Sequence, residues 1–363
     1  MAERRIGSLA ELLPHPGETL AELLETYGMS QLELSQRIGF TTKHINEVCK
    51  GKKPITPDMA IKLSTVFNLS SAFWNNLQAN YDSEYNELIN EQTVTEKELE
   101  ILKEVPTKEL IEYGYLDYVN TKNKRNVVLA LRKFFKVSAL TNIHAVLENT
   151  LEAYRKSEKD INPIKLATWI AMGLHDYKPS SNKLDIAKLK SEIPNLKKQI
   201  LVEDINVAIS NLKTILDKCG IIFNVIHHLK SVPVQGYIRN MNDNILLNLT
   251  IRNKFSDIFW FSFFHEIGHI ISNKDRKTLN KVDYESHDGF ADEKQADTFA
   301  SNTLINKDSY NEFINQPITV RSIERLAKKE GVTTSIVVGR LGHEDPRYFS
   351  KFANLREQYE WAN

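Results

Sequence analysis

The sequence predicts an α+β fold with an all-α helix-turn-helix domain at residues 1–82, a helical connector region at 83–204 and an α+β domain at 205–363. Three observations lead to this division. Short helical patterns that end at glycines fill the first part, charged amphipathic patterns fill the middle, and β-branched runs separated by turns first occur after Gly220. A chain of 363 residues is long enough for two or three domains of ordinary size.

The composition is balanced in charge. The chain carries 47 Lys and Arg residues against 47 Asp and Glu residues, so any surface for nucleic acid must be local. Its two cysteines, Cys49 and Cys219, lie far apart, which favours a reducing compartment over a disulfide framework. The sequence has no signal-peptide pattern and no apolar run long enough to span a bilayer, so we expect a cytoplasmic protein without membrane contact.

The first predicted elements are four short helices. The stretch GETLAELLETYG repeats apolar residues at helical spacing. Ser30 and Thr41 are suited to cap the second and third helices, and Gly39 is suited to end the second. The fourth helix begins at Pro57, where the missing N–H costs nothing. Two short helices joined by a tight glycine-containing turn predict a helix-turn-helix.

The third helix is the predicted DNA-reading helix, because the start of the second helix in such a motif meets base edges. From Arg37 to Lys53 there are five basic residues against one acid, a local excess that phosphate binding requires. A generic helical bundle with a solvated polar face would have the same periodicity, so the pattern leaves both interpretations open. The residues predicted to contact double-stranded DNA are Thr41, Thr42, Lys43, His44, Asn46, Lys50 and Lys52.

Residues 15–82 resemble the Cro/C1-type helix-turn-helix of HigA-type antitoxins. The resemblance rests on HPGE at the start, GKKPITPDMA in the link and FWNNLQANYD at the end. It implies a DNA-binding antitoxin that represses its own operon. Members of this family usually act as homodimers on palindromic operators, as two-fold symmetry requires.

The middle region carries one notable charge run. Residues 122–136 contain six basic residues and no acid. This run predicts either a second phosphate contact, a docking surface for an acidic partner, or simply a solvated helix face, which is the more common reason for such a run.

The C-terminal region begins with three predicted strands at 221–226, 234–239 and 244–250, which are rich in β-branched residues and separated by turns. They are followed by RNKFSDIFWFSFFHEIGHIISN (252–273), predicted as one long helix. Because this helix is apolar almost all round, we expect it to be buried in a domain core.

The buried helix carries the spacing H-E-x-x-H. His265 and His269 are four residues apart, so both imidazoles project from one face and can bind one Zn²⁺. Glu266 is suited to act as general base toward water at the metal. The alternative is a pair of core histidines that donate to backbone carbonyls, but burial of two His and a Glu without a cation would be costly.

A third metal ligand is predicted on the next helix, where Glu293 and Asp297 are four residues apart. This pair resembles the one that completes the site of gluzincin-type proteases. There the Glu ligates the metal and the Asp accepts a hydrogen bond from a metal-bound His. The alternative for Glu293 is a solvated carboxylate at a charged helix start.

The segments GIIFNVI, QGY, FFHEIGHIIS and EKQADTFASNTLI, with the tail at 332–361, together resemble the ImmA/IrrE family. The resemblance implies a zincin-like metallopeptidase domain, often paired with a Cro/C1-type helix-turn-helix, which in better-understood members cleaves a repressor. Gln295 departs from the acidic residue usual in that stretch, which puts a detail of the pocket in doubt.

A group that stabilises a developing oxyanion is also expected in a peptidase. His343 and Tyr284 are the leading candidates, with His287 and Arg340 behind them. The sequence ranks none of the four firmly, and for each a structural or surface role is more common than a catalytic one.

Two functions remain open from the sequence. The first is a DNA-binding regulator, the antitoxin of a toxin–antitoxin pair, whose metallopeptidase-like domain contacts or senses a protein partner. The alternative is an active zinc endopeptidase that cleaves a specific repressor or partner protein. A purely structural metal is the third interpretation, and the intact Glu266 counts against it, since a structural site has no use for a base.

Overall fold

The computed structural model describes residues 13–90, 93–144, 162–175, 177–251, 254–273, 280–284 and 291–359. Its contacts divide the chain into two compact units, Met1–Glu96 and Lys97–Asn363. The α+β fold class is confirmed, since the first unit is helical and the second holds a mixed sheet. The predicted connector region covers residues 83–204, and by their contacts residues 83–96 belong to the first unit and residues 97–204 to the second.

The first unit consists of five helices: α1 (Pro16–Thr26), α2 (Gln31–Ile38), α3 (Thr42–Cys49), α4 (Pro57–Phe67) and α5 (Ser71–Asn90). The predicted caps are in place. The side chains of Ser30 and Thr41 accept the backbone N–H groups of Glu33 and His44, and Gly39 ends α2 in the left-handed conformation at φ 71°. Side chains from all five helices share one apolar core, with Trp74 of α5 fully buried in it.

All but the first residue of α6 (Glu96–Leu102) belongs to the second unit. The unit continues with α7 (Thr107–Glu112), α8 (Lys124–Phe135), α9 (Pro163–His175), α10 (Ile186–Lys198) and α11 (Ile205–Asp217). A buried ion pair joins α6 to α8. Arg132 donates from Nε and Nη2 to the two carboxylate oxygens of Glu98, at 2.9 and 2.8 Å, and the N–H of Leu140 donates to the same carboxylate at 2.8 Å. Arg132 of the basic run 122–136 therefore has an internal partner, whereas Lys122, Lys124, Lys133 and Lys136 are exposed.

The sheet has four strands in the order β1-β3-β2-β4: β1 (Ile221–Ile226), β2 (Val234–Met241), β3 (Asn244–Thr250) and β4 (Asn280–Tyr284). β1 runs parallel to β3, and β2 is antiparallel to both β3 and β4. The first three strands match the prediction, whereas β4 was not predicted. Its sequence NKVDY is short and mostly polar, so it lacks a strand pattern.

One face of this sheet packs on α12 (Ser256–Ser272), the long apolar helix, within the main core of the unit. On the opposite face, the Trp169 ring of α9 lies 6.4 Å from the Tyr237 ring of β2. The helices α13 (Ala291–Leu304), α14 (Lys307–Ile314), α15 (Val320–Glu330), α16 (Thr334–Glu344) and α17 (Arg347–Lys351) complete the unit. Among the described residues, no helix is long and apolar enough to cross a membrane.

The α12 helix begins at Ser256, four residues after the predicted start, because its first turn is paired with the C-terminal segment. Phe255 forms a β-bridge with Gln358, and the Ser256 N–H donates to the carbonyl of Glu357 at 2.9 Å. Arg356 binds the buried carboxylate of Asp257, with its shortest contact at 2.8 Å. Even so, burial raises the pKa of Asp257 above its usual value.

Candidate metal centre and nucleic-acid interface

The two histidines and the glutamate of the H-E-x-x-H motif on α12 are buried. His265 and His269 are each 3% exposed and Glu266 is 0% exposed. The helix buries them because apolar side chains occupy the positions around them, including Phe263, Phe264, Ile267 and Ile270, and these belong to the main core. Polar groups in such surroundings must be compensated by partners or a bound ion.

α12 and α13 cross closely, and this brings the carboxylates of α13 to the two histidines of α12. A Cβ on Gly268 would lie 3.1 Å from the Cα of Ala296, so a larger residue there would push the helices apart. Ala296 lies between Glu293 and Asp297 on α13, and both carboxylates reach the histidines of α12.

Three metal-binding atoms converge at this crossing. The Nε2 atoms of His265 and His269 are 2.9 Å apart, and Oε2 of Glu293 is 3.1 Å from each of them. Oδ1 of Asp297 is 2.8 Å from Nδ1 of His265. Among the described residues, His265, His269 and Glu293 form the group that could hold a metal ion.

The donor set fits a divalent cation. Oδ1 of Asp297 is placed to accept a hydrogen bond from Nδ1–H of His265, and in the neutral ring this tautomer leaves a lone pair on Nε2. That lone pair faces Nε2 of His269 and the carboxylate of Glu293 at about 3 Å. A single proton can bridge one of the three pairs, whereas a cation satisfies all three at once. Two imidazoles and one carboxylate are ligands that suit Zn²⁺.

Glu266 lies against β2 at Gly236. A Cβ built on Gly236 would be 2.0 Å from Oε1 of Glu266, so the carboxylate occupies the space that any other residue's side chain would need. One turn earlier, the hydroxyl of Ser262 donates to Oε1 of Gln235 at 2.8 Å. The pairing of β2 with β4 shifts register between Val234 and Gly236, a bulge of the kind often found beside active sites.

The QGY stretch at 235–237 contributed to the resemblance to the ImmA/IrrE family, but sequence reasoning assigned Gln235 and Gly236 no role in the site. A signal was available, because a glycine inside a strand pattern often marks a close approach of backbone to another group. The partner on α12 could not be identified from the strand alone.

The oxyanion candidates have the following positions in the structure. His343 is exposed at the end of α16, a helix that contacts α12 near Ser256 and Asp257. Arg340 donates to the carbonyls of Ser301 and Ile305 at the end of α13, at 3.0 and 2.9 Å. Tyr284 is the last residue of β4, and His287 lies outside the described residues. Gln295 is exposed on α13.

In the first unit, α3 is held to α2 by the residues at its start. The Thr41 hydroxyl caps α3, and the hydroxyls of Thr42 and Ser35 are 3.0 Å apart. The His44 ring stacks on Phe40, with ring centres 5.0 Å apart. These predicted DNA contacts therefore also have structural roles.

The remaining predicted DNA contacts are more open. Lys43, Lys50 and Lys52 are exposed and Asn46 is half-buried. The one acid of the segment, Glu47, forms a 2.8 Å ion pair with Lys53. Most of the positive charge along this edge of α3 is thus left facing solvent.

The HPGE stretch fixes α3 from the other side. Nδ1 of His15 accepts the N–H of Gly17 at 2.9 Å, and Glu18 accepts the N–H of His15 at 3.1 Å, which caps α1. A Cβ on Gly17 would lie 1.8 Å from the carbonyl oxygen of Val48, so the glycine lets α1 touch the end of α3. Burial lowers the pKa of His15 below its usual value, which keeps the ring neutral and its Nδ1 able to accept.

Comparison with known proteins finds a match within each unit. Residues 20–74 match the helix-turn-helix family model, and residues 253–342 match the IrrE N-terminal-like domain. An uncharacterised HTH-type transcriptional regulator of Escherichia coli, YddM, is 35% identical over 65 residues, which are 18% of this chain and 69% of that protein. Virulence-associated protein A' of Dichelobacter nodosus is 37% identical over 70 residues, which are 19% of this chain and 61% of that protein.

Similar solved structures include the Pseudomonas aeruginosa antitoxin HigA with the higBA promoter, at 30% identity and a TM-score of 0.21, covering 22% of this chain and 89% of that one. An addiction module antidote protein of the HigA family from Coxiella burnetii is 33% identical at a TM-score of 0.21, covering 23% of this chain and 96% of that one. The chain belongs to the helix-turn-helix family of these relatives and carries an IrrE N-terminal-like domain in its second unit.

Proposed function

We propose that the protein is a DNA-binding transcription regulator of the antitoxin type, which represses its own operon and carries a zinc metallopeptidase-like domain that contacts or senses a protein partner. The observation that carries the proposal is the helix-turn-helix of the first unit, where Lys43 of α3 and, in the turn after it, Lys50 and Lys52 are exposed on an otherwise neutral chain. The named relatives, a transcriptional regulator and a promoter-bound antitoxin, support the same class. The operator is expected to be palindromic and the protein a homodimer.

In the second unit, His265, His269 and Glu293 would hold the zinc ion. A zinc ion there supplies Lewis acidity toward a carbonyl group or water. Asp297 keeps the proton of His265 on Nδ1 and so directs Nε2 toward the metal position. Glu266 directly follows His265 in the helix, and its carboxylate can take up a proton beside the metal position.

An active zinc endopeptidase is the second candidate. The observation that favours it is the arrangement of Glu266, which is fully buried next to the ligand His265 and fitted against β2, since a structural metal site has no need of such a base. The substrate in that case would be a specific repressor or a partner protein.

Two variants of the full chain separate these functions. Lys43→Ala combined with Asn46→Ala should weaken binding to DNA from the protein's own upstream region by about 100-fold, because each lost contact is worth about 1–3 kcal/mol. A mobility-shift titration measures this. The control Lys103→Ala removes an exposed lysine of the second unit and should leave binding unchanged. Undiminished binding by the double variant would refute α3 as the DNA-reading helix.

The second variant is Glu266→Gln. If the protein acts as a regulator, operator binding and neutralisation of the partner protein survive this change. If it acts as an endopeptidase, derepression or neutralisation fails while zinc, measured by elemental analysis, remains bound. A zinc content well below one per chain in the parent protein would remove the metal site from both interpretations.

A further inference from the structure

Gly236 of β2 directly faces the carboxylate of Glu266. Gly236 pairs with Leu249 of β3, and this places it on the face of the sheet that α12 covers. A Cβ there would lie 2.0 Å from Oε1, 2.7 Å from Cδ and 3.0 Å from Cγ of Glu266. Three consecutive atoms of the carboxylate end are therefore fitted to the bare backbone of a glycine.

The strand cannot withdraw easily from this contact. The hydrogen bond from Ser262 to Gln235 joins α12 to β2 one residue before Gly236. On its two sides, β2 is paired with β3 and with β4. If a side chain were added at position 236, the flexible end of Glu266 would have to move before the strand did.

We propose that Gly236 is a positioning residue, which sets where the Glu266 carboxylate lies relative to the metal-binding atoms of His265, His269 and Glu293. The inference rests on the metal site described under the proposed function. It adds that a strand residue with no side chain determines the location of the base, so that substitution at 236 displaces the carboxylate and leaves the three ligands in place.

A purely structural role is the competing explanation. In that case the glycine relieves crowding between β2 and α12, and its substitution lowers stability without changing the surroundings of a bound metal. The two roles are separated by a stability cycle on metal-free protein and a spectrum of cobalt-loaded protein.

The stability cycle compares the parent with Gly236→Ala, Glu266→Ala and the double variant, as full chains treated with chelator. Gly236→Ala should lower the Tm by about 2 to 6 °C, because it crowds a buried carboxylate. In the Glu266→Ala background the same change should cost less than about 1 °C, since the clashing atoms are gone. Equal losses in both backgrounds would overturn the contact on which the inference depends.

The spectroscopic test uses Co²⁺ in place of zinc, because its visible absorption reports the geometry of its ligands and the groups beside them. Gly236→Ala should bind one Co²⁺ but with a shifted visible spectrum. The double variant should have the spectrum of Glu266→Ala alone, because position 236 then has no carboxylate to move. Gly339→Ala is the matched control, since its Cβ would meet Asp257 at 2.6 Å, eight residues before His265, and its Co²⁺ spectrum should equal that of the parent.

The Co²⁺ measurements distinguish failure of the metal site from failure of the positioning role of Gly236. A parent protein that binds no Co²⁺ would overturn the metal site, and the positioning role with it. A parent that binds Co²⁺ while Gly236→Ala keeps the parent spectrum would leave the metal site standing and overturn the positioning role alone.

Discussion

The hydrogen bond between Asp297 and His265 should control metal affinity although Asp297 does not reach the metal position. Its Oδ1 is 2.8 Å from Nδ1 of His265, within the range of a charge-assisted hydrogen bond. Replacing Asp297 with Ala removes the acceptor that holds the proton on Nδ1. The ring can then take up the other tautomer, which puts a proton on Nε2 where a lone pair is needed.

The expected magnitude follows from this geometry. Loss of such a partner of a ligating His typically lowers metal affinity by about 10- to 100-fold. The Asp297 side chain is 42% exposed, so solvent screens part of its charge and can replace part of the bond. We therefore expect the lower end of that range, a weakening of about 10- to 30-fold, or about 1.4 to 2 kcal/mol.

The assay is competition for Zn²⁺ against a chromophoric chelator at fixed pH and salt. Gln295→Ala is the control, since Gln295 is exposed on the same helix, and it should bind as the parent does. Glu293→Ala removes an Oε2 atom that lies 3.1 Å from both Nε2 atoms and should weaken binding more than Asp297→Ala does. Parent-like affinity in Asp297→Ala would refute the orienting role assigned to this carboxylate.

Three further predictions concern the two units. Glu98→Ala should lower the free energy of unfolding by about 3 kcal/mol, because it removes the fully buried carboxylate that the guanidinium of Arg132 binds at 2.8 Å; denaturant titration measures this, and a change below about 1 kcal/mol would contradict it. Gly17→Ala should weaken operator binding about tenfold in a mobility shift by displacing the carbonyl of Val48 at the end of α3, and unchanged affinity would exclude that coupling. Burial lowers the pKa of His15, so the imidazole binds a proton at higher pH in the unfolded chain than in the folded one. The first unit should therefore lose stability as the pH falls below about 6.5, which amide exchange measures. His15→Asn keeps a capping acceptor and should lose that pH dependence.

The helices and their caps could be predicted because the signals are local. Ser30, Gly39 and Thr41 act within one or two turns of their own position, and the structure has them where the sequence expects them. The convergence of His265 and His269 is local in the same sense, since the helical repeat brings residues four apart to one face. Tertiary packing was not needed for either inference.

Glu293 and Asp297 were harder to connect with the histidines. Their helical spacing is local, but their approach to α12 depends on the close crossing at Gly268 and Ala296. Nothing in the periodicity of α13 specifies which helix it crosses. Resemblance to known metallopeptidases suggested that pairing, and the geometry of the two helices now gives a physical reason for it.

Other features could not be predicted because they depend on contacts between distant segments. The bridge of Phe255 to Gln358 shortens α12 at its start, and the helical periodicity of residues 252–273 gives no sign of that bridge. Strand β4 forms part of the sheet although NKVDY has no alternating pattern, since pairing with β2 is what makes it a strand. In the sequence Arg132 is one member of a basic run, and its partner Glu98 lies 34 residues away, so the run alone does not indicate the ion pair.

The base and the ligands of the metal site therefore differ in what the fold must supply. The ligands need two helices that cross as closely as α12 and α13 do at Gly268 and Ala296. Glu266 is fully buried against the backbone of a strand, and a side chain at residue 236 would enter the space that its carboxylate occupies. A protein that used the metal only to hold its fold would need the first arrangement and not the second. The fitted position of Glu266 is thus the feature that ties the sheet to the proposed chemistry, and it is the reason that Gly236 is the most informative position to change.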